Sequence, residues 1–496
     1  MVGCLFLPYG LLRGDYKLYY STTKYFILKN KLIIVIVFTV SFGEIGCKKF
    51  VQIDPPTTQL VAASVFDNDA AATATQVAIY SNMAFNGEST NLEIQTGLLS
   101  DELQTYNLGL TYLQFYQNAM LAVNNPGPWS NAYNYIYQAN AIIAAIEGGS
   151  SLTPNISKQL LGESKFVRAF WLFYLTNLYG DIPLVITTDY TINAVLSKAA
   201  RSKVYQQIIL DLKDAKALLN KSYVDGSDTA VTLTDRTRPN EGAAGAMLAR
   251  AYLYSGDYQH AELEADSVIG NSLYSLIPNL DSVFLADSHE AIWQLGIPQP
   301  STINTPDAQS FVLTSAPGGV NCCAISQDLV NSFESGDRRR ANWIDSIVKN
   351  NTTYYFPYKY KVIIGPPVLE DVMVLRLAEQ YLIRAEARAS QGNLAGSSAD
   401  LNVVRNRAGL PNISDSIASS KQNLLLAILQ ERRVELFTEW GHRWFDLIRT
   451  GSADSVMSRV TPLKGGTWST DEHQLLYPIP ILDIGKDVNL VQNNGY

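Results

Sequence analysis

Cysteine and histidine are scarce in this chain of 496 residues, which has four of each. Four cysteines cannot form a disulfide scaffold in a chain of this length, and their spacing matches no zinc-binding pattern. Cys322 and Cys323 are adjacent, and because a bridge between neighbours strains the peptide that joins them, we interpret them as two small thiols. The HExxH, GxSxG and GxxxxGK(S/T) motifs are also absent. We therefore predict no metal site, no cofactor and no catalytic residue, although two carboxylates can act together without leaving a motif.

An excess of basic residues is absent as well, since 38 Lys and Arg stand against 46 Asp and Glu, for a formal net charge of −8. Nucleic acid binding requires a basic face that displaces counterions, so nucleic acid is excluded as a partner. Apolar residues and tyrosine are plentiful, at 47% of the chain and 28 residues. Tyrosine rings on a surface offer flat, amphipathic contact area that suits sugars or peptides, while other tyrosines belong to the core.

Residues 1–46 have the features of an export leader. Three lysines, Lys24, Lys29 and Lys31, precede an apolar run that is too short to span a bilayer. Residues 1–23 exceed what such a signal needs, which suggests a start codon assigned too far upstream.

The leader ends at Gly46-Cys47, which resembles a lipobox. The resemblance implies that signal peptidase II cleaves before Cys47 and that lipid is attached to the Cys47 thiol. An ordinary secretory signal followed by an incidental cysteine is the alternative. The polar, proline-broken residues 47–64 are predicted to form an extended tether.

Residues 155–179 are apolar nearly all round, which predicts a buried, central helix. Thr153 is placed to cap this helix and Pro154 to occupy its first turn. Gly180, which can adopt a left-handed conformation, is placed to end it.

Residues 420–450 show a second helical period, in which five apolar residues form one stripe: Leu425, Ile428, Leu429, Leu436 and Trp440. The stripe predicts one helix packed against other helices. Three glutamates and an arginine recur at intervals of four on the same helix: Glu431, Glu435, Glu439 and Arg443.

Three carboxylates along one face repel each other unless cations reach them. The arginines that we expect to supply these cations are Arg432, Arg433, Arg443 and Arg449. A structural lattice of arginine and glutamate is favoured over a catalytic carboxylate pair, since His442 is the only histidine nearby and no nucleophile accompanies it.

Two segments repeat one plan, in which two alanine-bearing helices flank a glycine turn. Residues 248–265 contain the turn Gly256-Asp257-Tyr258, and residues 384–401 contain Gly392-Asn393-Leu394. Small residues let paired helices approach closely, and the glycine reverses the chain, as in tetratricopeptide repeats. The two helix hairpins lie 136 residues apart, so the repeats are dispersed rather than tandem.

The segment from Glu431 to Gly451 resembles the signature of the SusD/RagB family, whose members are outer-membrane lipoproteins that capture nutrients in Bacteroidetes. A second stretch that resembles the family runs from Gly162 to Leu184. The resemblance implies a mainly α fold, with a tetratricopeptide-like helical-hairpin scaffold and a loop-rich, irregular second half. It implies one domain over 65–496, with the scaffold at about 65–270 and 370–450 and a ligand-binding part at about 270–370.

The resemblance further implies a lipid-anchored protein on the outer membrane that faces the cell exterior. Such a protein captures oligosaccharides and delivers them to a SusC-like TonB-dependent transporter. An oligopeptide-binding, RagB-like lipoprotein and a structural lid of the transporter without a ligand are the alternatives. The residues that we expect to contact the ligand are Asp101, Tyr106, Tyr112, Trp343, Tyr354 and Tyr355.

Overall fold

The computed structural model describes residues 65–124, 127–225, 235–298, 300–470 and 473–496. The leader, the predicted lipidation site Cys47 and the predicted tether lie outside the described residues. Helices make up 54% of the described residues and strands 9%, which confirms the prediction of a mainly α fold. Among the described helices, none combines the length and the apolar character that crossing a bilayer requires.

Within the described residues, the helices are, in chain order, α1 (Asp69–Phe85), α2 (Glu88–Leu99), α3 (Leu110–Tyr116), α4 (Trp129–Glu147), α5 (Pro154–Tyr179), α6 (Tyr190–Asn193), α7 (Arg201–Leu218), α8 (Glu241–Ser255), α9 (Tyr258–Ile269), α10 (Pro306–Phe311), α11 (Gln327–Val330), α12 (Arg338–Asn342), α13 (Leu377–Ser390), α14 (Leu394–Arg407), α15 (Asp415–Ala418), α16 (Lys421–Glu435), α17 (His442–Arg449), α18 (Ala453–Leu463) and α19 (Ile481–Ile484). The strands are β1 (Leu103–Thr105), β2 (Ile182–Pro183), β3 (Lys198–Ala199), β4 (Ala291–Leu295), β5 (Cys323–Ile325), β6 (Ile344–Lys349), β7 (Thr352–Pro357) and β8 (Val372–Arg376).

Helix α5 is the centre of the scaffold, and α4 and α7 pack against it. Every side chain from Phe166 to Tyr179 is buried, as its all-round apolar sequence predicts. Gly180 ends the helix with a φ of 75°. Thr153 occupies the N-cap position, but its hydroxyl donates to Asp69 Oδ2 at 2.6 Å and does not cap α5. The capping contact that we predicted is therefore replaced by a link to the start of α1.

The two predicted hairpins are confirmed as α8–α9 and α13–α14, with Gly256 and Gly392 at positive φ in their turns. The hairpins are distant in sequence but adjacent in space, because α9 packs on α13. Arg384 of α13 donates to Asp266 of α9 at 2.6 Å. The dispersed repeats therefore stack on each other as tandem repeats do.

The chain between the two hairpins leaves α9 and returns through β8, which leads directly into α13. Strand β8 pairs antiparallel with β4, and β6 pairs with β7 in a hairpin. Strand β5 pairs antiparallel with β1, which follows α2. This pairing joins the region between the hairpins to the beginning of the scaffold.

Residues 420–450 form two helices, so the prediction of one helix is wrong. Helix α16 ends at Glu435 and α17 begins at His442. Between them Thr438 and Trp440 have a φ of 46° and Gly441 a φ of 76°. The spacing of apolar residues carries no information about backbone dihedral angles. The apolar period therefore continues through residues 436–441, where the helix is interrupted. The stripe is only partly core, since Leu425 and Leu429 are half-buried.

Candidate functional site

The turn between α16 and α17 lies in a buried network of charges. Arg376 donates to Glu435 at 2.6 Å and to Glu439 at 2.7 Å. Arg339 reaches Glu431 at 2.7 Å and Glu435 at 2.8 Å. We call the ion-pair core the set Glu431, Glu435, Glu439, Arg339, Arg376, Arg407 and Lys359.

The cations of the ion-pair core do not come from the residues that sequence proximity suggested. Arg432 binds Asp446 at 2.7 Å, and Arg443 binds Asp101 at 2.7 Å. Neighbouring residues on a helix point in different directions, so an arginine beside a glutamate in sequence does not face it. The expectation that Arg432, Arg433, Arg443 and Arg449 neutralise the three glutamates is wrong, and cations from other elements do so.

Electrostatics keep Glu435, at the centre of the ion-pair core, charged although it is buried. Burial raises the pKa of Glu435, but the guanidiniums of Arg407 and Arg376 outweigh burial and lower the pKa below its usual range. Lys359 Nζ donates to the Phe437 carbonyl at 2.7 Å, and burial lowers its pKa to about 8. Because these groups satisfy each other inside the fold, the ion-pair core has a structural role.

Asp101 and Trp343 lie in the interior, which contradicts the expectation that they contact a ligand. Asp101 is 1% exposed and accepts two hydrogen bonds from Arg443, at 2.7 and 2.8 Å. Trp343 is fully buried, and its indole N–H donates to the Leu280 carbonyl at 3.0 Å. Lys359 Nζ lies 5.0 Å from the centre of the Trp343 ring. Both residues therefore have a structural role in the interior of the protein.

Cys322 and Cys323 are joined by a disulfide, so the interpretation as two thiols is wrong. Both residues are buried where the chain enters β5. The backbone conformation at these two residues brings the adjacent sulfurs together. That conformation cannot be predicted from the sequence. The Tyr106 N–H donates to the Cys322 carbonyl at 2.7 Å, so the bridged pair adjoins the end of β1.

Tyr106 and Tyr354 meet, although one follows β1 and the other lies in β7. Their ring centres are 5.2 Å apart and their planes cross at 80°, an edge-to-face contact. Both rings are half-buried. Burial, and then the neighbouring hydroxyls of Tyr354 and Tyr116, raise the pKa of Tyr106. The Tyr106 phenol is therefore neutral near pH 7 and can both donate and accept hydrogen bonds.

The other two predicted tyrosines have different surroundings. Tyr355 alternates with Tyr354 along β7 and therefore faces the opposite side of the hairpin, where the Arg340 guanidinium lies 4.8 Å from its ring centre. Tyr112 is half-buried on α3 and packs against the hydrophobic core.

Exposed apolar residues border the tyrosine pair. Leu108 is 81% exposed and Val320 is 82% exposed. The loops that hold them are joined by a 3.1 Å hydrogen bond from Asn107 Nδ2 to the Gly319 carbonyl. We call the tyrosine surface the set Tyr106, Tyr116, Tyr354, Leu108 and Val320.

Sequence reasoning missed Tyr116, Leu108 and Val320. Tyr116 follows Tyr112 by four residues, so helical spacing in α3 could have found it. The two apolar residues sit in loops and belong to no period.

Lys464 lies next to Tyr116 of the tyrosine surface and binds the end of α2. Its Nζ donates to the Leu98 carbonyl at 2.7 Å and to the Leu99 carbonyl at 3.2 Å, at the C-terminal end of α2. The same nitrogen lies 5.4 Å from the ring centre of Tyr116. Through these hydrogen bonds Lys464 fixes the end of α2 that leads into β1.

The tyrosine surface offers ring faces, hydroxyls and apolar side chains. This chemistry suits the stacking and hydrogen bonding of a sugar or peptide ligand. Across the part of the chain that the structure describes, no group of three or more His, Cys, Asp or Glu is placed to hold a metal ion.

Models of two protein families match this chain. A family model described as the SusD family matches residues 342–496. A second, described as starch-binding associating with outer membrane, matches residues 53–253. The chain belongs to the SusD family. The family resemblance found in the sequence is thereby confirmed.

Individual relatives cover most of the chain. A SusD-like protein of Bacteroides ovatus is 25% identical over 475 residues, which cover 85% of this chain and 82% of the relative. The crystal structure of a SusD superfamily protein from Bacteroides vulgatus matches with a TM-score of 0.75 at 20% identity, over 86% of this chain and 99% of that one. A laminarin-binding SusD-like protein matches with a TM-score of 0.69 at 24% identity, over 87% of this chain and 100% of that one. At these identities the structural matches support the fold alone.

Proposed function

We propose that this protein is a cell-surface lipoprotein that captures oligosaccharides and delivers them to a SusC-like TonB-dependent transporter. The tyrosine surface is the proposed ligand site. Cys47 is the proposed lipidation site, which would hold the protein on the outer membrane and facing the cell exterior.

The observation that carries this proposal is the contact between Tyr106 and Tyr354. Two strands from distant parts of the chain place these rings side by side at the surface. A sugar ring can stack on an aromatic face while its hydroxyls bond to nearby phenols. The exposed Leu108 and Val320 beside the pair extend the apolar contact.

The comparisons favour a glycan over a peptide as the ligand. One of the matching family models is described as starch-binding, and one solved relative binds laminarin. No equivalent observation favours the oligopeptide alternative or the lid without a ligand.

Binding without catalysis agrees with the burial of the carboxyl pair formed by Glu93 and Asp307. Glu93 and Asp307 are close enough for a hydrogen bond between them to affect their pKa values. They are 3% and 1% exposed, so a substrate does not reach them. A glycoside hydrolase needs its two carboxyl groups on either side of an accessible bond.

Isothermal titration calorimetry on the mature chain tests the proposal. Laminarin-derived and starch-derived oligosaccharides form one panel, and oligopeptides of matched length form the other. We expect at least one glycan to bind and to be recovered unhydrolysed after incubation. Binding of peptides alone would favour the RagB-like alternative, and binding of neither class would favour the lid.

A further inference from the structure

Glu93 and Asp307 form a buried carboxyl pair between two helices that lead to the tyrosine surface. Glu93 lies on α2 and Asp307 on α10, which packs against α2. Ser89 Oγ lies 2.7 Å from Glu93 Oε1 and 3.4 Å from Asp307 Oδ1, so one hydroxyl lies between the two carboxyls. The Trp440 N–H also donates to Glu93 Oε1, at 3.2 Å. The pair is therefore fixed to the turn between α16 and α17.

The second oxygens of the two carboxyls indicate a shared proton. Glu93 Oε2 and Asp307 Oδ2 are buried, and neither accepts a hydrogen bond from a donor in the described part of the chain. Two carboxylates this close together cannot both stay ionised away from water, whereas one proton between them supplies the missing hydrogen bond. Burial, and then the charge of Asp307, raise the pKa of Glu93, and burial raises the pKa of Asp307. The pair therefore holds one proton near neutral pH.

The groups that surround the pair do not neutralise it. Among the described residues, neither carboxyl has a lysine or arginine partner. Lys359 lines the same small cavity, but its Nζ donates to Glu439 and to the Phe437 carbonyl. The other ionisable groups that face the pair are acids or phenols: Tyr174 of α5, Tyr360 after β7 and Glu370 before β8. Loss of the proton would therefore leave two facing negative charges in the interior.

Three segments that carry the tyrosine surface meet at this pair. Helix α2 continues through β1 to Tyr106. Asn321 Nδ2 donates to two carbonyls of α10, at 2.8 and 2.9 Å, which holds the loop of Val320 against that helix. Pro357 lines the same cavity as the pair and ends β7, the strand that contains Tyr354. The relative positions of these segments therefore depend on the contact between α2 and α10.

We infer that Glu93 and Asp307 are positioning residues of the ligand site, because their shared proton holds α2 against α10 and thereby keeps the tyrosine surface assembled. The inference rests on the proposed function for the identity of the ligand, which neither buried carboxyl touches. A pair that holds a proton in the assembled state favours that state at low pH and loses this contribution as the pH rises. Glycan affinity should therefore fall with rising pH.

Calorimetry on the mature chain at pH 6 and pH 9, with the glycan that binds best, tests the inference. In Glu93→Gln an amide N–H takes the place of the shared proton at both pH values, while the amide oxygen can still accept from Ser89 and Trp440. We expect the wild-type affinity to fall by about fivefold or more from pH 6 to pH 9, and the Glu93→Gln affinity by about twofold or less. Asp307→Asn places the amide on the other partner and should reduce the pH dependence in the same way.

Glu88→Gln is the matched control on the same helix. Glu88 is 4% exposed, burial raises its pKa, and its carboxyl accepts from Asn131 at 2.7 Å. This variant should keep the wild-type ratio of the two affinities. Burial also moves the pKa of Glu102 to about 8 and that of Lys464 to about 7. Both groups titrate in every variant, so the comparison of ratios between variants isolates the carboxyl pair.

Hydrogen exchange reports the same positioning without a ligand. The Tyr106 amide, which donates to the Cys322 carbonyl, joins β1 to the entry of β5. After correction for the intrinsic rate, we expect its protection to fall by about fivefold or more from pH 6 to pH 9 in the wild type, and by about twofold or less in Glu93→Gln.

Equal pH dependence of affinity in the wild type and in Glu93→Gln would overturn the inference and leave the pair with a structural role alone. Loss of the pH dependence in Glu88→Gln would also overturn it, since any buried carboxyl of α2 would then have the same effect. If no glycan binds, the proposed function fails and hydrogen exchange decides the inference. A protection of the Tyr106 amide that depends on pH in the wild type but not in Glu93→Gln would then support it, and equal protection in both would overturn it.

Discussion

The ion-pair core and the tyrosine surface contain polar groups in opposite surroundings. Glu435 is fully buried between arginines from three other elements, and burial gives its ion pairs a fixed geometry. Tyr106 and Tyr354 are half-buried and meet edge to face. The most recognisable sequence of the family therefore belongs to the frame. Ligand recognition belongs to loops that this frame holds in place.

The largest effect should follow from breaking the ion-pair core. Arg376→Met removes from inside the fold a cation that Glu435 and Glu439 share. We expect the free energy of unfolding to fall by about 3–5 kcal/mol, measured by denaturant titration.

Arg459→Met is the matched control, because Arg459 is 57% exposed and pairs with Asp328 at 3.3 Å. Its expected loss is below about 1 kcal/mol. Equal losses in the two variants would contradict the structural role of the ion-pair core.

The contribution of Glu102 to the free energy of unfolding should depend on pH. Burial, and then the neighbouring Asp101, raise the pKa of Glu102 from 4.5 to about 8. A carboxyl whose pKa is raised in the folded state favours folding below pH 4.5 and loses that contribution as the pH rises to about 8. Glu102→Gln should therefore match the wild type near pH 5 and exceed its stability by about 2 kcal/mol near pH 8.

Glu334→Gln provides a control of opposite sign. The hydrogen bond from Arg405 lowers the pKa of Glu334, so this carboxylate favours folding above its unfolded pKa and loses the contribution as the pH falls. Thermal unfolding at pH 5 and pH 8 measures Glu102→Gln, and for Glu334→Gln the comparison is between pH 8 and a pH below the unfolded value of 4.5. A Glu102→Gln variant with the same pH profile as the wild type would show that Glu102 is ionised in the fold.

Replacing a ring of the tyrosine surface should weaken binding without unfolding the frame. Tyr354→Ala removes one half of the Tyr106 contact. We expect glycan affinity to fall by about 1–2 kcal/mol, or roughly tenfold, in calorimetry. Tyr137→Ala on α4, where Tyr137 is 51% exposed, should leave affinity unchanged. A similar loss at both positions would remove the distinction between this surface and the other exposed tyrosines.

The smallest effect is expected at the disulfide beside the tyrosine surface. A bridge between adjacent residues closes almost no chain, so Cys322→Ser/Cys323→Ser should change the free energy of unfolding by about 1 kcal/mol or less. Because the Cys322 carbonyl accepts the Tyr106 N–H, we expect glycan affinity to fall by about twofold to threefold. Denaturant titration and calorimetry measure the two quantities. A large loss of stability with unchanged affinity would contradict this prediction and show that the disulfide stabilises the fold rather than the tyrosine surface.

Local patterns predicted the scaffold well, because they reflect contacts within a helix or a hairpin. The all-round apolar sequence of α5 and the glycine turns of the two hairpins led directly to buried or paired helices. Contacts between segments that are distant in the chain could not be predicted from such local patterns. Asp101 is taken by an arginine 342 residues away, and nothing in the loop around Trp343 shows that cations enclose its ring.

Tyrosine content showed that a ligand surface was plausible but not which rings would meet. The pairing of Tyr106 with Tyr354 depends on the antiparallel β1–β5 pairing and on the β6–β7 hairpin. The β1–β5 register is not fixed by the strands themselves, because three-residue strands have too few side chains to specify it.

The most direct test is a crystal structure of the mature chain with the oligosaccharide that calorimetry selects. We predict a sugar ring in van der Waals contact with Tyr106 or Tyr354, with Asp101 and Trp343 still buried in their present contacts. A sugar bound elsewhere, such as the groove between α8 and α16 lined by Leu253 and Leu426, with the tyrosine surface unoccupied, would contradict the account.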